Sequence, residues 1–244
     1  MSSLITICRR ELRSYFATPV AYIFIIIFLM LNGFFTFELG NFYFREQADL
    51  EPCFSYHPWL YLFLVPAVAM RVWAEERKSG TIELLLTLPI RTWDAVVGKF
   101  LAAWIFVGIA LLLTFPIWIT VNYLGRPDNG VIVAAYLGSW LMSGAFLAVG
   151  CCLSAVTRNQ IIAFITTTFV CLAFVLAGFS MVLYSFKDWM PGFILDAIAQ
   201  MSFLTHYEAI SRGVLDIRDV LFFILFISCW LAATTIVVEM KKSG

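Results

Sequence analysis

The residues best equipped for chemistry lie in one run: Trp73-Ala74-Glu75-Glu76-Arg77-Lys78-Ser79-Gly80-Thr81-Ile82-Glu83-Leu84-Leu85-Leu86-Thr87-Leu88-Pro89. It opens with paired carboxylates and adjacent cations and ends in a leucine-rich stretch. Gly80 breaks the charged run. Beyond it, Ile82, Leu85 and Leu86 share one helix face and Leu84 and Leu88 the adjoining one. Pro89 ends that helix, because it clashes with the preceding turn and pushes Leu88 from the helical region. Glu83, near the helix start, is favoured by the dipole by about 0.3–1 kcal/mol. The helix is too short to cross a bilayer, so it must lie on a surface or insert into another protein. Adjacent glutamates suit an anionic lipid leaflet poorly, which favours a protein partner. The chemistry expected here is docking.

Other constellations are weaker. Cys53, His57 and His206, with Met181, Met190 and Met201, offer soft ligands that would suit copper, but their spacing matches no compact metal motif. The chain has no H-E-x-x-H zinc pair and no G-x-S-x-G elbow. Ser139, Ser143, Ser154 and Ser180 are expected to have no histidine at membrane depth, which argues against an intramembrane enzyme. No G-x-x-x-x-G-K-[ST] phosphate loop is present, so the chain is not itself an ATPase. Asn32 and Thr166, Thr167 and Thr168 are expected to make interhelical hydrogen bonds rather than line a substrate route. Glu38 reads as an interfacial carboxylate.

The elements that must hold the docking run are membrane helices. The chain is 62% hydrophobic and 13% charged, with a mean hydropathy of +0.91. Too few charges are available to cover a water-facing surface, so its solvent is lipid. An all-α membrane protein is expected, as a single domain over 1–244, with spans at about 20–38, 54–73, 95–122, 131–157, 160–186 and 220–238. The second span is the least apolar, since it holds His57, Pro58 and Pro66.

With six spans, most of the sixteen Lys and Arg residues collect on one side: Arg9, Arg10, Arg13, Arg71, Arg77, Lys78, Arg91, Lys99, Arg158, Lys241 and Lys242. The positive-inside rule then places both termini in the cytoplasm, and the docking run with them. Arg9, Arg10 and Arg13 precede an apolar run too long for a cleavable signal peptide, without a small-x-small site after it. Residues 1–17 read as an amphipathic interfacial helix whose arginines face headgroups or a partner. Between the last two spans, 187–219 reads as one or two short helices at the outer interface, where His206 is expected to act with Glu208. Of the six cysteines, Cys53 alone is expected to face outside.

The run Glu75-Glu76-Arg77, with Ser79-Gly80-Thr81-Ile82-Glu83-Leu84-Leu85-Leu86-Thr87-Leu88-Pro89, resembles the signature of type 2 ABC transporter permeases. Arg10-Glu11-Leu12 with Tyr15-Phe16 and Pro19 resembles, more narrowly, permeases associated with gliding motility. So do His206-Tyr207-Glu208, Ser211-Arg212-Gly213-Val214-Leu215-Asp216 and Arg218-Asp219-Val220. The permease that helps mature the copper sites of nitrous oxide reductase is a more distant relative. The resemblance implies that Glu75, Glu76, Arg77, Gly80, Thr81, Glu83, Leu85, Leu86 and Pro89 contact an ATPase, the segment after Gly80 being the coupling helix. The Arg158-Asn159-Gln160 turn also matches the pattern and would lie on the same side, with a plain topogenic turn as the alternative.

It further implies two copies of an ABC ATPase, which bind ATP and Mg²⁺, and a second permease copy or a paralogue. No cofactor is expected in this chain, and no nucleic acid among its partners. The implied setting is the bacterial inner membrane, where ATP hydrolysis elsewhere drives export or conformational work through this subunit. ATPase closure would move the docking helix as a lever, provided the two nucleotide states bind it differently. The alternative function is a non-transporting scaffold that transmits ATPase motion to a periplasmic partner, in which case 187–219 is a protein-binding surface and an accessory periplasmic protein belongs to the complex.

Overall fold

The computed structural model describes residues 3–45, 47–80, 91–179, 181, 182, 184 and 191–241, with the backbone alone at Lys78 and Ser79. Every regular element among these residues is a helix. They are α1 (Ser3–Ala17), α2 (Pro19–Phe34) with a π-helical turn at Phe35–Leu39, α3 (Glu51–Ser55), α4 (His57–Ser79), α5 (Thr92–Leu112) and α6 (Phe115–Leu124). There follow α7 (Asn129–Val156), α8 (Gln160–Leu176), α9 (Gly192–Gln200), α10 (Phe203–Ser211) and α11 (Ile217–Met240).

Helix boundaries follow local chemistry. Thr18 is extended because Pro19 follows it, and Pro19 then occupies the first turn of α2, where its missing N–H costs nothing. Asp128, Asn159, Ser202 and Asp216 cap α7, α8, α10 and α11 through side-chain oxygens that accept from first-turn N–H groups. Gly80 closes α4 in the left-handed region at φ 73°. The expected span 95–122 is interrupted: α5 stops at Leu112, and α6 restarts at Phe115 with Pro116 in its first turn.

Among the described residues, four stretches are long and apolar enough to cross a membrane: Pro19–Leu39, Thr92–Leu124, Asn129–Val156 and Ile217–Met240. The second and fifth expected spans are not among them. α4 carries His57, Arg71 and the charges at its C-terminal end, and α8 holds 17 residues, about 25 Å at 1.5 Å per residue. α4 packs on α7 and α8, and α8 lays one face, Ala163, Thr167, Cys171 and Val175, against the bundle on α4 and α7.

The bundle is organised around α7, which packs against α4, α5, α8, α10 and α11. Its surface is built from small residues, including Ala134, Gly138, Ser139, Gly144, Ala148, Gly150 and Ser154. Such residues let helix backbones approach closely, which is how membrane helices gain packing energy without a hydrophobic driving force. A Cβ on Gly138 would meet Ile210 of α10, and one on Gly144 would meet Trp104 of α5. A Cβ on Gly150 would collide with that of Ala69 on α4. Trp104 and Trp140 stack at 4.2 Å between α5 and α7, and the Trp104 indole N–H donates to the Trp140 carbonyl at 2.9 Å.

α4 and α7 run parallel and are stitched at both ends of their seam. At one end Ser139 Oγ lies 2.7 Å from His57 Nδ1 and 2.7 Å from Tyr61 Oη. The network continues from His57 Nε2 to Asn32 Nδ2 at 3.1 Å, and Cys53 Sγ donates to Asn32 Oδ1 at 3.2 Å. At the other end Ser154 Oγ accepts from the N–H groups of Trp73 and Ala74 and donates to the Met70 carbonyl at 3.1 Å.

These contacts correct several expectations. Ser139 does meet a histidine, His57, and both side chains are wholly enclosed. Cys53 does not face outside: it is buried with its thiol on Asn32. His206 pairs with Asp219 rather than Glu208, its Nδ1 lying 2.6 Å from the Asp219 carboxylate, its Nε2 2.8 Å from the Gln200 carbonyl and its ring stacked on Phe222. Asn32 hydrogen-bonds between helices, as expected, whereas Thr166, Thr167 and Thr168 donate within α8, to the carbonyls of Ile162, Ala163 and Phe164, one turn back.

Gly150→Ala should therefore destabilise the protein by about 1–3 kcal/mol through overpacking at the α4–α7 seam. Adding Ala69→Gly should recover most of that loss, as read by thermal unfolding of detergent-purified protein. A double variant as unstable as the single one would mean the two positions do not touch.

Candidate functional site

The C-terminal end of α4 places Glu75, Glu76 and Arg77 on successive positions, each rotated by about 100° around the helix axis. Three neighbouring residues thus reach three different partners. Glu75 turns back along its own helix to Arg71, whose Nε lies 3.1 Å from Oε2. Glu76 points to α5, where Lys99 Nζ donates to its Oε1 at 2.7 Å. Arg77 points to α7, where Nη1 donates to the carbonyls of Ala155 at 2.7 Å and Val156 at 3.0 Å.

Lys99 is the centre of this junction. Its side chain is 3% exposed, yet it carries a charge seven positions after the helix's first residue, Thr92. Two carboxylates compensate it, Glu76 at 2.7 Å and Glu11 of α1 at 3.4 Å, and its ammonium lies 5.3 Å from the centre of the Trp73 ring. An enclosed cation is tolerated only with such partners. Burial by itself would raise the Glu11 carboxyl, but Lys99 and Arg10 outweigh it and hold the group below its ordinary value. α1 is thereby held to the same ion cluster as the end of α4. It also packs lengthwise on α5, with Ile7 against Gly98, Ser3 bonded to Asp94, and Tyr15 stacked on Phe106 at 5.2 Å. Arg9, Arg10 and Arg13 lie on its exposed side. Between α1 and α4 a cleft of about 190 Å³ is lined by Glu11, Ser14, Tyr15, Arg71, Glu75 and Lys99.

The end of α7 is the second half of the junction. Its last carbonyls carry the negative end of the helix dipole, and cations there are favourable. Arg77 supplies one, and Lys241, just past α11, supplies another, with Nζ 2.6 Å from the Val156 carbonyl. Arg158 of the following turn stands close enough to be felt by both. Burial first, and Arg158 second, press the Arg77 guanidinium below its usual value; burial, Arg77 and Arg158 do the same to the Lys241 ammonium. Arg77 and Arg158 are thus brought together, while Glu75 and Glu76 face away from them. Gly80 ends the described part of the site. Thr81, Glu83, Leu85, Leu86 and Pro89 fall within 81–90 and lie outside the described residues.

The family described as ABC-2 family transporter protein matches residues 60–238, from the first turns of α4 to the last of α11. The chain belongs to that family. It is accordingly a multi-pass membrane protein and the membrane permease component of an ABC transporter. Comparison with curated proteins gives no match. The matched region of this ABC-2 permease contains Glu75, Glu76, Arg77, Lys99 and Arg158; Glu11 and Lys241, which complete the two ion clusters, flank it.

Sequence reasoning counted Lys99 and Lys241 as topological charges and Glu11 as part of a motif. The signal that marks Lys99 is its place beside an uninterrupted apolar run, where a lone charge needs a counter-ion.

Lys99→Met should leave Glu11 and Glu76 facing each other without the ammonium between them, at a cost of about 3 kcal/mol, the low end for a broken buried pair. Lys99→Met with Glu11→Gln and Glu76→Gln should regain much of it. In the unaltered protein the depressed Glu11 carboxyl contributes stability above the ordinary carboxylate value near 4.3, and loses it as pH falls through its lower folded value. Proteolysis at Arg9, Arg10 and Arg13 should therefore be slow at neutral pH, faster on acidification, and already fast at neutral pH in Lys99→Met. Cleavage rates indifferent to both changes would exclude the ion cluster as the tether of α1.

Proposed function

We propose that this ABC-2 permease couples ATP hydrolysis by a separate ABC ATPase to export or conformational work across the bacterial inner membrane. In this reading it has six spans and cytoplasmic termini, and it works as a pair with a second copy or a paralogue on two ATPases that bind ATP and Mg²⁺. Glu75, Glu76, Arg77, Gly80, Thr81, Glu83, Leu85, Leu86, Pro89 and Arg158 form or brace the ATPase contact, and the segment after Gly80 is the coupling helix. The motifs around Glu11 and His206 place it with the gliding-motility permeases in this reading.

The observation that carries the reading is the junction at the end of α4. A helix that only had to leave the membrane would need no ties at its last turn. This one is tied through Glu76 and Lys99 to α5 and α1, and through Arg77 to the end of α7. A push on the segment after Gly80 would therefore reach several helices at once. α4 and α8 supply the missing spans in this reading: α4 can be less apolar than a lipid-facing helix because its polar residues, His57 and Tyr61, are bonded inside the protein.

Glu83→Arg, or Leu85→Asp with Leu86→Asp, should abolish co-purification of the ATPase while membrane insertion stays intact. Variants that still bring down the ATPase at full yield would sink the docking assignment. A stoichiometric periplasmic subunit in the purified complex would instead favour the scaffold alternative.

A further inference from the structure

At the end of the bundle opposite Glu75–Arg77, a cavity of about 450 Å³ lies between α3, the start of α7 and α10. That volume falls in the range of small-molecule sites, about 300–1,000 Å³. Its floor is apolar and partly aromatic, formed by Phe54, Ile132, Ala135, Leu204 and Tyr207. Its rim is acidic: Asp49, Glu51, Asp128 and Glu208 line it against a single cation, Arg212. Arg45, outside the lining, sits 2.6 Å from Glu51 and 3.8 Å from Asp49, and Arg212 lies 3.5 Å from Glu208. The carboxylates still outnumber these two guanidinium groups. The positive end of the α7 dipole is met by Asp128, which accepts from the N–H of Gly130 at 2.9 Å.

The walls are fixed rather than collapsible. Tyr207 Oη donates to the Phe54 carbonyl at 2.7 Å, which ties α10 to α3 directly beneath the cavity. Gly138 brings α7 against Ile210 and Tyr207 with no room for a Cβ. His206, held by Asp219 and the Gln200 carbonyl, anchors α10 from its other side.

We infer that this cavity is a binding site for a small organic cation, an ammonium or guanidinium group carrying an aromatic or branched aliphatic body. The apolar floor takes the body, and the acidic rim takes the charge. A bare divalent ion does not fit the same features: it needs convergent oxygens, and the described residues contain no cluster of three or more acidic, histidine or cysteine side chains able to hold one. A lipid tail would fill the floor but add no positive charge to a rim whose four carboxylates are met by only Arg45 and Arg212. The inference is independent of ATPase docking, and its test needs no ATPase.

The test is calorimetric titration of benzyltrimethylammonium into the full chain in a neutral maltoside detergent, beside its uncharged isostere and benzenesulfonate. Saturable binding of the cation alone is expected. Asp49→Asn with Glu208→Gln should weaken it about tenfold, equivalent to about 1.4 kcal/mol. Ser211→Trp, which leaves every rim carboxylate in place but fills the mouth, should abolish it. Thermal unfolding of both variants at the wild-type temperature would establish that their folds are intact. Equal binding of the isostere, no saturation up to about 10 mM cation, or unchanged affinity in both variants would overturn the proposal. Competition by short-chain phosphatidylethanolamine, absent with phosphatidylglycerol, would overturn the free-ligand assignment and give the rim to a lipid ammonium.

Discussion

Gly150 of α7 and Ala69 of α4 stand so close that neither position has room for another methyl group, and much of the arrangement depends on that approach. It sets the spacing at which Ser139 can reach both His57 and Tyr61, and at which Ser154 can serve the backbone of Trp73 and Ala74. A hydroxyl makes these bonds only when the two helix backbones are near. The small residues on the other faces of α7 do the same for α5 and α10, so one helix sets the distances of several neighbours. In a bilayer, where lipid tails are as apolar as leucine, fit of this kind replaces the hydrophobic effect as the source of association.

The close seam also explains the charged junction. With α4 laid parallel on α7, the last turn of α4 arrives beside the last turn of α7, and Arg77 joins Lys241 on carbonyls at the end of α7. The same turn directs Glu76 to Lys99, whose enclosed ammonium is worth keeping only with carboxylates on both sides. Glu11 of α1 is one of these. The N-terminal helix and the last turn of α4, from which the proposed docking segment continues in sequence, are thereby attached to a single ion cluster. That is the physical basis for reading the region as a transmitter of force.

The two ends of the bundle are chemically distinct. One gathers Arg71, Arg77, Arg158 and Lys241 around helix ends; the other has carboxylates around an apolar cavity, closed beneath by the Tyr207–Phe54 bond. Patterning along the sequence already collected most of the cations on one side of the expected topology, because the rule that sorts them acts on short loops. It did not indicate that Asp49, Glu51, Asp128 and Glu208 line one cavity. Those residues come from three separate segments and share no local pattern.

The sequence by itself determined the all-helical membrane class, the helix ends marked by Pro19 and Gly80, and the family signature between Glu75 and Pro89; the break before Pro116 it did not mark. Each of these depends on local terms: apolar length, backbone restriction and neighbouring charge. Only the tertiary structure decided that Ser139 meets His57, that Cys53 is enclosed, that His206 turns to Asp219 and that Lys99 joins Glu11 to Glu76. α4 fell short of the apolar rule for a related reason: its His57 and Tyr61 are bonded to Ser139 of α7, and a rule that weighs each segment against lipid cannot include that partner, whereas α8 falls short by length alone, at 17 residues. Pairings of this kind depend on which helix faces touch, and in a membrane that is settled by packing between segments far apart in the chain.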